Sequence, residues 1–244
     1  MNKKDIYTQI IEKIKENEIS TTEIGDCLNK DKNCLLKDVK SLNRGHFRVG
    51  RVFLAYAYNE SNWELHEQIQ SVQKGDVLLV KTHNCQERAI FGDLVSKYLT
   101  LYKGAVAVVV DGNMRDARRL IKENRPIWCK GVTPIGCFNK KNEAELNPEI
   151  VNAWKKKYEG TTAVCDDGGV VIIPPEFIND EFLEKLDFIE LQEDIWYHCI
   201  DTKKWSTYKT VCLKEYRNHP DLLPSELKEK FEEFVKKSDN SKNR

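Results

Sequence analysis

GDVLLV at 75–80, ERAIFGDL at 87–94 and KGAVAVVVDGNMRD at 103–116 decide the fold. The runs at 77–80 and 106–110 are short, rich in valine and bounded by glycine, the pattern of parallel strands covered by apolar layers on both faces. Between them, residues 92–102 carry Leu94, Val95, Tyr98, Leu99 and Leu101 at helical spacing. The unit is strand, loop, helix, strand, with a right-handed crossover. In open α/β sheets ligands gather beyond the carboxyl ends of the strands. Those ends carry ERAIFGD and DGNMRD, which places the active site there.

The 244 residues fit one domain with extensions, or one large and one very small domain, and 40% apolar content supplies a core. Lys+Arg and Asp+Glu balance at 39 each, so no global field recruits nucleic acid or an anionic membrane, and no local patch is dense enough to do so. The N-terminal MNKKDIYTQIIEKIKENE is too polar for a secretory segment, and there is no membrane-spanning run, so a cytoplasmic location is expected. The 8 cysteines lack paired ligand spacing and read as reduced thiols, most of them in the core, rather than as a zinc site.

Outward from the central unit, Ile6, Ile10, Ile11 and Ile14 predict an amphipathic helix, and Ser20 with Glu23 a capping box opening a second. A strand is expected at 49–58, with Gly50 at a bulge or tight entry, then a helix at 60–72 with Trp63, Ile69 and Val72 inward. After a helix at 115–123 and a strand at 126–129, residues 140–147 read as a loop. DDGG at 166–169 marks a hairpin that Pro174 and Pro175 terminate. A helix over 180–196 carries Glu184, Glu190 and Glu193. The aromatic stretch beyond it ends in a tail, SDNSKNR, expected to be disordered.

Arg115 and Asp116 carry the chemistry of interest. A guanidinium clamps a carboxylate in two parallel hydrogen bonds, and a neighbouring aspartate suits a hard divalent cation that keeps several waters. Together they fit a 2-oxo acid. A helix cap and a surface ion pair account for the same two residues equally well. Residues 92–95 (Gly92, Asp93, Leu94, Val95) open the crossover helix, where free N–H groups favour an anion and Asp93 would orient water or act as acid/base; N-capping is the plainer role. Glu190 and Glu193 share a helical face and would complete a metal shell, on this subunit or a neighbouring one, or simply face water. DDGG resembles a calcium loop only superficially. His83 is a lone loop histidine, and nothing near Lys81 marks it for a Schiff base.

The ordered set GDVLLV, RAIFGDL, VVVDGNMRD, PIWCKGVTP and CDDGGVVIIP resembles the regulator of ribonuclease activity A family, also called the 4-hydroxy-4-methyl-2-oxoglutarate aldolase family, over about residues 21–193. The resemblance implies an α/β fold, a swivelling β/β/α domain at 21–196, with an N-terminal helix at 1–20 and a C-terminal extension at 197–244. It implies a homotrimer or hexamer with sites between subunits. It also implies a lyase that cleaves 4-hydroxy-2-oxo acids or decarboxylates oxaloacetate with Mg²⁺ or Mn²⁺. By motif, Arg115 would bind the substrate carboxylate, Asp116 would hold the metal, and Asp93 would assist. Gly92, Asp93, Leu94 and Val95 would form the cradle, and Glu190 or Glu193 would reach a neighbour's metal. Three departures stand out: one extra residue between Asp93 and Arg115, Arg119 where an acidic residue is expected, and KTHNCQE in place of a glycine-rich loop. Regulator members bind a ribonuclease without catalysis, so a binding protein, or an enzyme for a sugar acid, is the alternative.

Overall fold

The amphipathic N-terminal run folds as helix α1 (Ile6–Glu16), with Ile10, Ile11 and Ile14 buried and the Asp5 side chain capping its start. Ser20 and Glu23 form the expected capping box and open α2 (Thr21–Cys27). The chain continues through β1 (Lys40–Ser41), β2 (Arg48–Tyr58), α3 (Trp63–Gln68), β3 (Val77–His83), α4 (Asp93–Lys97), β4 (Ala107–Met114), α5 (Ala117–Lys122) and β5 (Ile127–Val132). Then follow α6 (Pro148–Tyr158), β6 (Thr162–Asp166), β7 (Gly169–Ile173), α7 (Asp180–Tyr197) and α8 (Ser225–Lys242). The computed structural model describes residues 5–242, with side chains through Lys236, and divides into two units at Asn179/Asp180.

The first unit is built on a seven-stranded sheet in the order β1-β5-β4-β3-β2-β6-β7. Strands β2, β3, β4 and β5 are parallel neighbours, as the valine-rich runs require. On one face Leu78, Val80, Val108 and Val110 meet Leu65, Ile69, Val95, Leu99 and Leu120 from the helices. On the other, Val77, Leu79, Ala107 and Val109 meet Trp128, Tyr158 and the hairpin residues Ala163, Cys165, Val170 and Ile172. Hairpin, sheet and helices are thus stacked as β/β/α. Each fully buried Val or Leu contributes roughly 1.5–3 kcal/mol, so the central strands dominate the core.

Strand β2 serves both layers. Its first part, Arg48 to Arg51, pairs antiparallel with β6, and from Val52 it pairs parallel with β3. At the switch, a Cβ on Gly50 would lie 2.3 Å from the carbonyl oxygen of Gly75. The tight entry expected at Gly50 is this close backbone approach. The DDGG turn is structural: Asp166 accepts hydrogen bonds from the Thr21 N–H (2.7 Å), the Thr21 hydroxyl (2.6 Å) and the Gly168 N–H (2.7 Å), tying α2 to the hairpin.

The crossover helix keeps α-geometry only through Lys97 and continues as a π-helical turn, Tyr98–Lys103, closed by Gly104 at φ 72°. A π turn lodges one residue more than an α turn. The segment where the family resemblance places an extra residue is thus π-helical, and β4 pairs in parallel with β3.

Two local expectations change. Trp63 is 41% exposed, because α3 begins at that residue and its inward stripe runs through Leu65, Ile69 and Val72 instead. Helix α6, absent from the sequence reading, is set by the Asn147 cap and Pro148 in its first turn. In the second unit, α7 runs into a π turn, His198–Thr202, and a core of Ile195, Cys199, Tyr216, Leu223 and Phe231 forms. The unit boundary precedes α7, whereas the sequence division at 196/197 falls at its end. The backbone of α8 stays helical to Lys242 through a stretch expected to be disordered, with Glu226–Lys230 at 2.8 Å supporting its first turns. Asn243 and Arg244 lie outside the described residues. Among those described, no helix is long and apolar enough to cross a membrane.

Candidate active site

The loop after β3 and the end of β4 meet through backbone hydrogen bonds. Ala89 bridges both Asn113 and Gly136, and the Ile90 N–H donates to the Asn113 carbonyl at 2.8 Å. Strand β4 shifts register against β5 between Val110 and Asn113, and the Arg115 N–H then donates to the Phe91 carbonyl at 3.1 Å. These bonds press Gly92 onto the Arg115–Asp116 pair. A Cβ on Gly92 would lie 2.0 Å from Asp116 Oδ2 and 2.8 Å from Arg115 Cγ, so only glycine allows the contact.

Asp116 occupies the N-cap position of α5 but does not cap it. Its backbone is left-handed (φ 61°) and its side chain makes no bond to its own helix. The Asp116 Oδ2 atom instead accepts the Asp93 N–H at 3.2 Å and lies 3.7 Å from Arg115 Nε. A left-handed aspartate costs about 1–3 kcal/mol unless its surroundings fix it, and strain of this kind gathers at functional sites. Nor does Asp93 cap α4, whose N-cap is Gly92. Its carboxylate pairs with Arg119 Nε at 3.0 Å. Leu94 is 78% exposed while Val95 is buried, so of the expected cradle the Asp93 N–H is already taken by Asp116 and Val95 anchors the turn.

Arg119 is fixed from both sides. Glu123 meets it at 3.1 Å and also meets Arg125 at 2.5 Å, and Arg125 donates to the Thr100 hydroxyl at 3.1 Å. The Glu123 hydrogen bond, with the Asp93 charge behind it, pushes the guanidinium above its ordinary value, and Arg125 and Arg119 in turn hold Glu123 below the usual carboxylate range. The residue that replaces an expected carboxylate thus neutralises a second one.

Glu190 and Glu193 lie on α7 of the second unit, each with interactions of its own. Among the described residues no group of three or more His, Cys, Asp or Glu is arranged to hold a metal. His83 is exposed. Lys81 is ion-paired with Asp111, which Lys130 also meets at 2.5 Å, and this argues against a Schiff-base amine. Two residues escaped the sequence reading. A Cβ on Gly136 would lie 2.7 Å from Arg115 Nη1, so its bare backbone makes room for the guanidinium. Arg88 holds that backbone by donating to the Gly136 carbonyl at 3.1 Å while paired with Glu60 at 2.5 Å. The glycine in VTPIGC was the one visible signal.

The layered β/β/α build, with an arginine–carboxylate cluster at the carboxyl ends of its central strands, defines the class as an α/β protein. The chain belongs to the RraA-like family: the Aldolase/RraA family model matches residues 21–172. A protein of Halalkalibacterium halodurans provisionally named 4-hydroxy-4-methyl-2-oxoglutarate aldolase is 32% identical over 158 residues, covering 64% of this chain and 73% of the relative. A Shewanella oneidensis protein with the same provisional name is 27% identical over 124 residues, 51% of this chain and 74% of its own. Among solved structures, an uncharacterized Pseudomonas syringae protein superposes with TM-score 0.62 at 20% identity, over 83% of this chain and 92% of that one. Streptomyces coelicolor RraAS2, described as an unusual member of the RNase ES inhibitor RraA family, gives 0.60 at 24% identity, over 76% and 96%. These structures share the fold.

Proposed function

We propose that this protein is a carbon–carbon lyase for a small 2-oxo acid, cleaving a 4-hydroxy-2-oxo acid by retro-aldol reaction or decarboxylating oxaloacetate, with Mg²⁺ or Mn²⁺ at Asp116. The observation that carries this reading is the Asp116 carboxylate, turned away from its own helix and seated with Arg115 on the bare backbone of Gly92. The provisional names of the relatives support it.

The residues present suit a hard cation held by one carboxylate and completed by water, the mode that Mg²⁺ favours. Asp93 adds little to such a site while Arg119 holds it. Glu190 or Glu193 from a neighbouring copy in a homotrimer or hexamer would add the second carboxylate. When bound, the cation supplies positive charge for the oxygen of the 2-oxo group as the carbon–carbon bond breaks. Arg115 fixes the substrate carboxylate in two parallel hydrogen bonds, oriented by its seat over Gly136. The first turn at Gly92 to Val95 borders the bound acid, and Asp93 orients the water that moves the proton. Pyruvate release from oxaloacetate, followed with and without chelator in wild type and Arg115→Ala, tests this: the variant should show a raised KM, and an unchanged KM would remove Arg115 from its role.

The Arg119–Asp93 pair also favours a second reading, a non-catalytic binding protein on the same scaffold, because it spends a carboxylate the metal would use. Absence of Mn²⁺ binding by calorimetry would select that reading.

A further inference from the structure

The loop KTHNCQE, which replaces the family's glycine-rich loop, has a backbone that ordinary side chains adopt only when held. Asn84, Gln86 and Glu87 take φ of 52°, 47° and 61° around Cys85. The Glu60 N–H donates to the Asn84 carbonyl (3.0 Å), the Arg88 N–H to the Cys85 carbonyl (2.9 Å), and Asn113 Nδ2 to the Glu87 carbonyl (2.9 Å). The turn thereby directs Cys85 into the helix-side core, where it is 8% exposed. Cys137 packs against that same cluster from the neighbouring segment, its N–H bonded to the Ala89 carbonyl at 2.9 Å. Both thiols are free: Cys85 Sγ donates to the His83 carbonyl at 3.6 Å, and Cys137, beside the same cluster, is only partly buried.

We infer that Cys85 and Cys137 form a reversible dithiol–disulfide modification site, closed by a hydroperoxide and reopened by a thiol reductant. The pair joins the loop leading into Gly92 to the segment that seats Arg115, and it uses none of the residues assigned to the lyase reaction. The neighbouring Cys137 thiol holds Cys85 below its ordinary value, while Cys137 itself is pushed up. In the proposed step the Cys85 thiolate attacks. Its sulfur bonds to one oxygen of hydrogen peroxide, the O–O bond breaks, and the other oxygen leaves as water after taking a proton. The Cys137 sulfur then attacks the Cys85 sulfenic acid, the S–O bond breaks, and the hydroxyl departs with the Cys137 proton as a second water. Two thiols are oxidised to one disulfide and one peroxide is reduced to two waters. Burial pushes Cys129 up to about 11 and raises Cys34, Cys165 and Cys199.

The test is a non-reducing tryptic map of the native full-length chain after mild hydrogen peroxide. Trypsin places Cys85 alone in residues 82–88 and Cys137 alone in residues 131–140. These peptides should appear linked, with a loss of about 2 Da, and separate with dithiothreitol. In Cys137→Ser, Cys85 should instead gain about 16 Da as the sulfenic acid. No linked peptide from the wild type, linkage through Cys212, or an unchanged mass loss in Cys85→Ser would each overturn the inference. The wild-type map decides even if a variant folds poorly, and none of these readouts depends on lyase activity.

Discussion

Gly92 shows what a single missing Cβ does for this site. Alanine there would place a methyl group 2.0 Å from Asp116 Oδ2, so Asp116 must move and the left-handed turn at φ 61° loses its seat. Gly92→Ala is expected to lower kcat for oxaloacetate by about 10- to 100-fold while far-UV circular dichroism is unchanged, since a misplaced group of this kind costs that order. Arg115→Ala should raise KM by about 10- to 100-fold, the loss of charge-assisted hydrogen bonds worth roughly 1.5–3 kcal/mol. Arg119 can be tested in the opposite direction. Arg119→Asp frees Asp93 and restores a carboxylate, so Mn²⁺ affinity measured by calorimetry should rise by about tenfold, some 1.4 kcal/mol. An unchanged affinity would mean that Arg119 has no influence on the cation. The residue types at 93, 115 and 116 were legible in the sequence, but their partnerships were not. Asp93 meets Arg119, and Arg115 meets Gly136, only because the sheet brings distant segments together.

At the scale of elements, the valine-rich strands were legible because burial on both faces leaves no room for alternation. The DDGG hairpin and the Ser20–Glu23 capping box were legible because turn and cap chemistry is local. Helix α6 was not, since its charge-rich sequence gives a weak apolar stripe and only Tyr158 is buried. The π turn at Tyr98–Lys103 could be foreseen as an extra residue but not as its geometry. If the turn stores one residue, deleting the exposed Leu101 should let it relax to an α-helix, with Tm lowered by no more than about 2–4 °C, roughly 1 kcal/mol. Deleting the fully buried Leu120 from α5 should prevent folding. Equal damage from the two deletions, read by thermal melting, would remove the π turn's role as the reservoir.

For the whole molecule, basic and acidic residues balance at 39 each, so on the proposed reading binding of the substrate rests on the local cluster at the strand ends. A neighbour's Glu190 or Glu193 can add its carboxylate to the proposed metal shell only in an oligomer, so a trimer or hexamer is expected by sedimentation velocity; a monomer would remove those glutamates from the site. The most direct test is pyruvate release from oxaloacetate with Mg²⁺ or Mn²⁺, comparing wild type with Asp116→Ala and with chelator. Free metal decarboxylates oxaloacetate unaided, so the variant is the decisive control. The account predicts turnover that disappears with both chelator and variant while the fold is retained. A rate in the wild type equal to that of Asp116→Ala at the same metal concentration would contradict it.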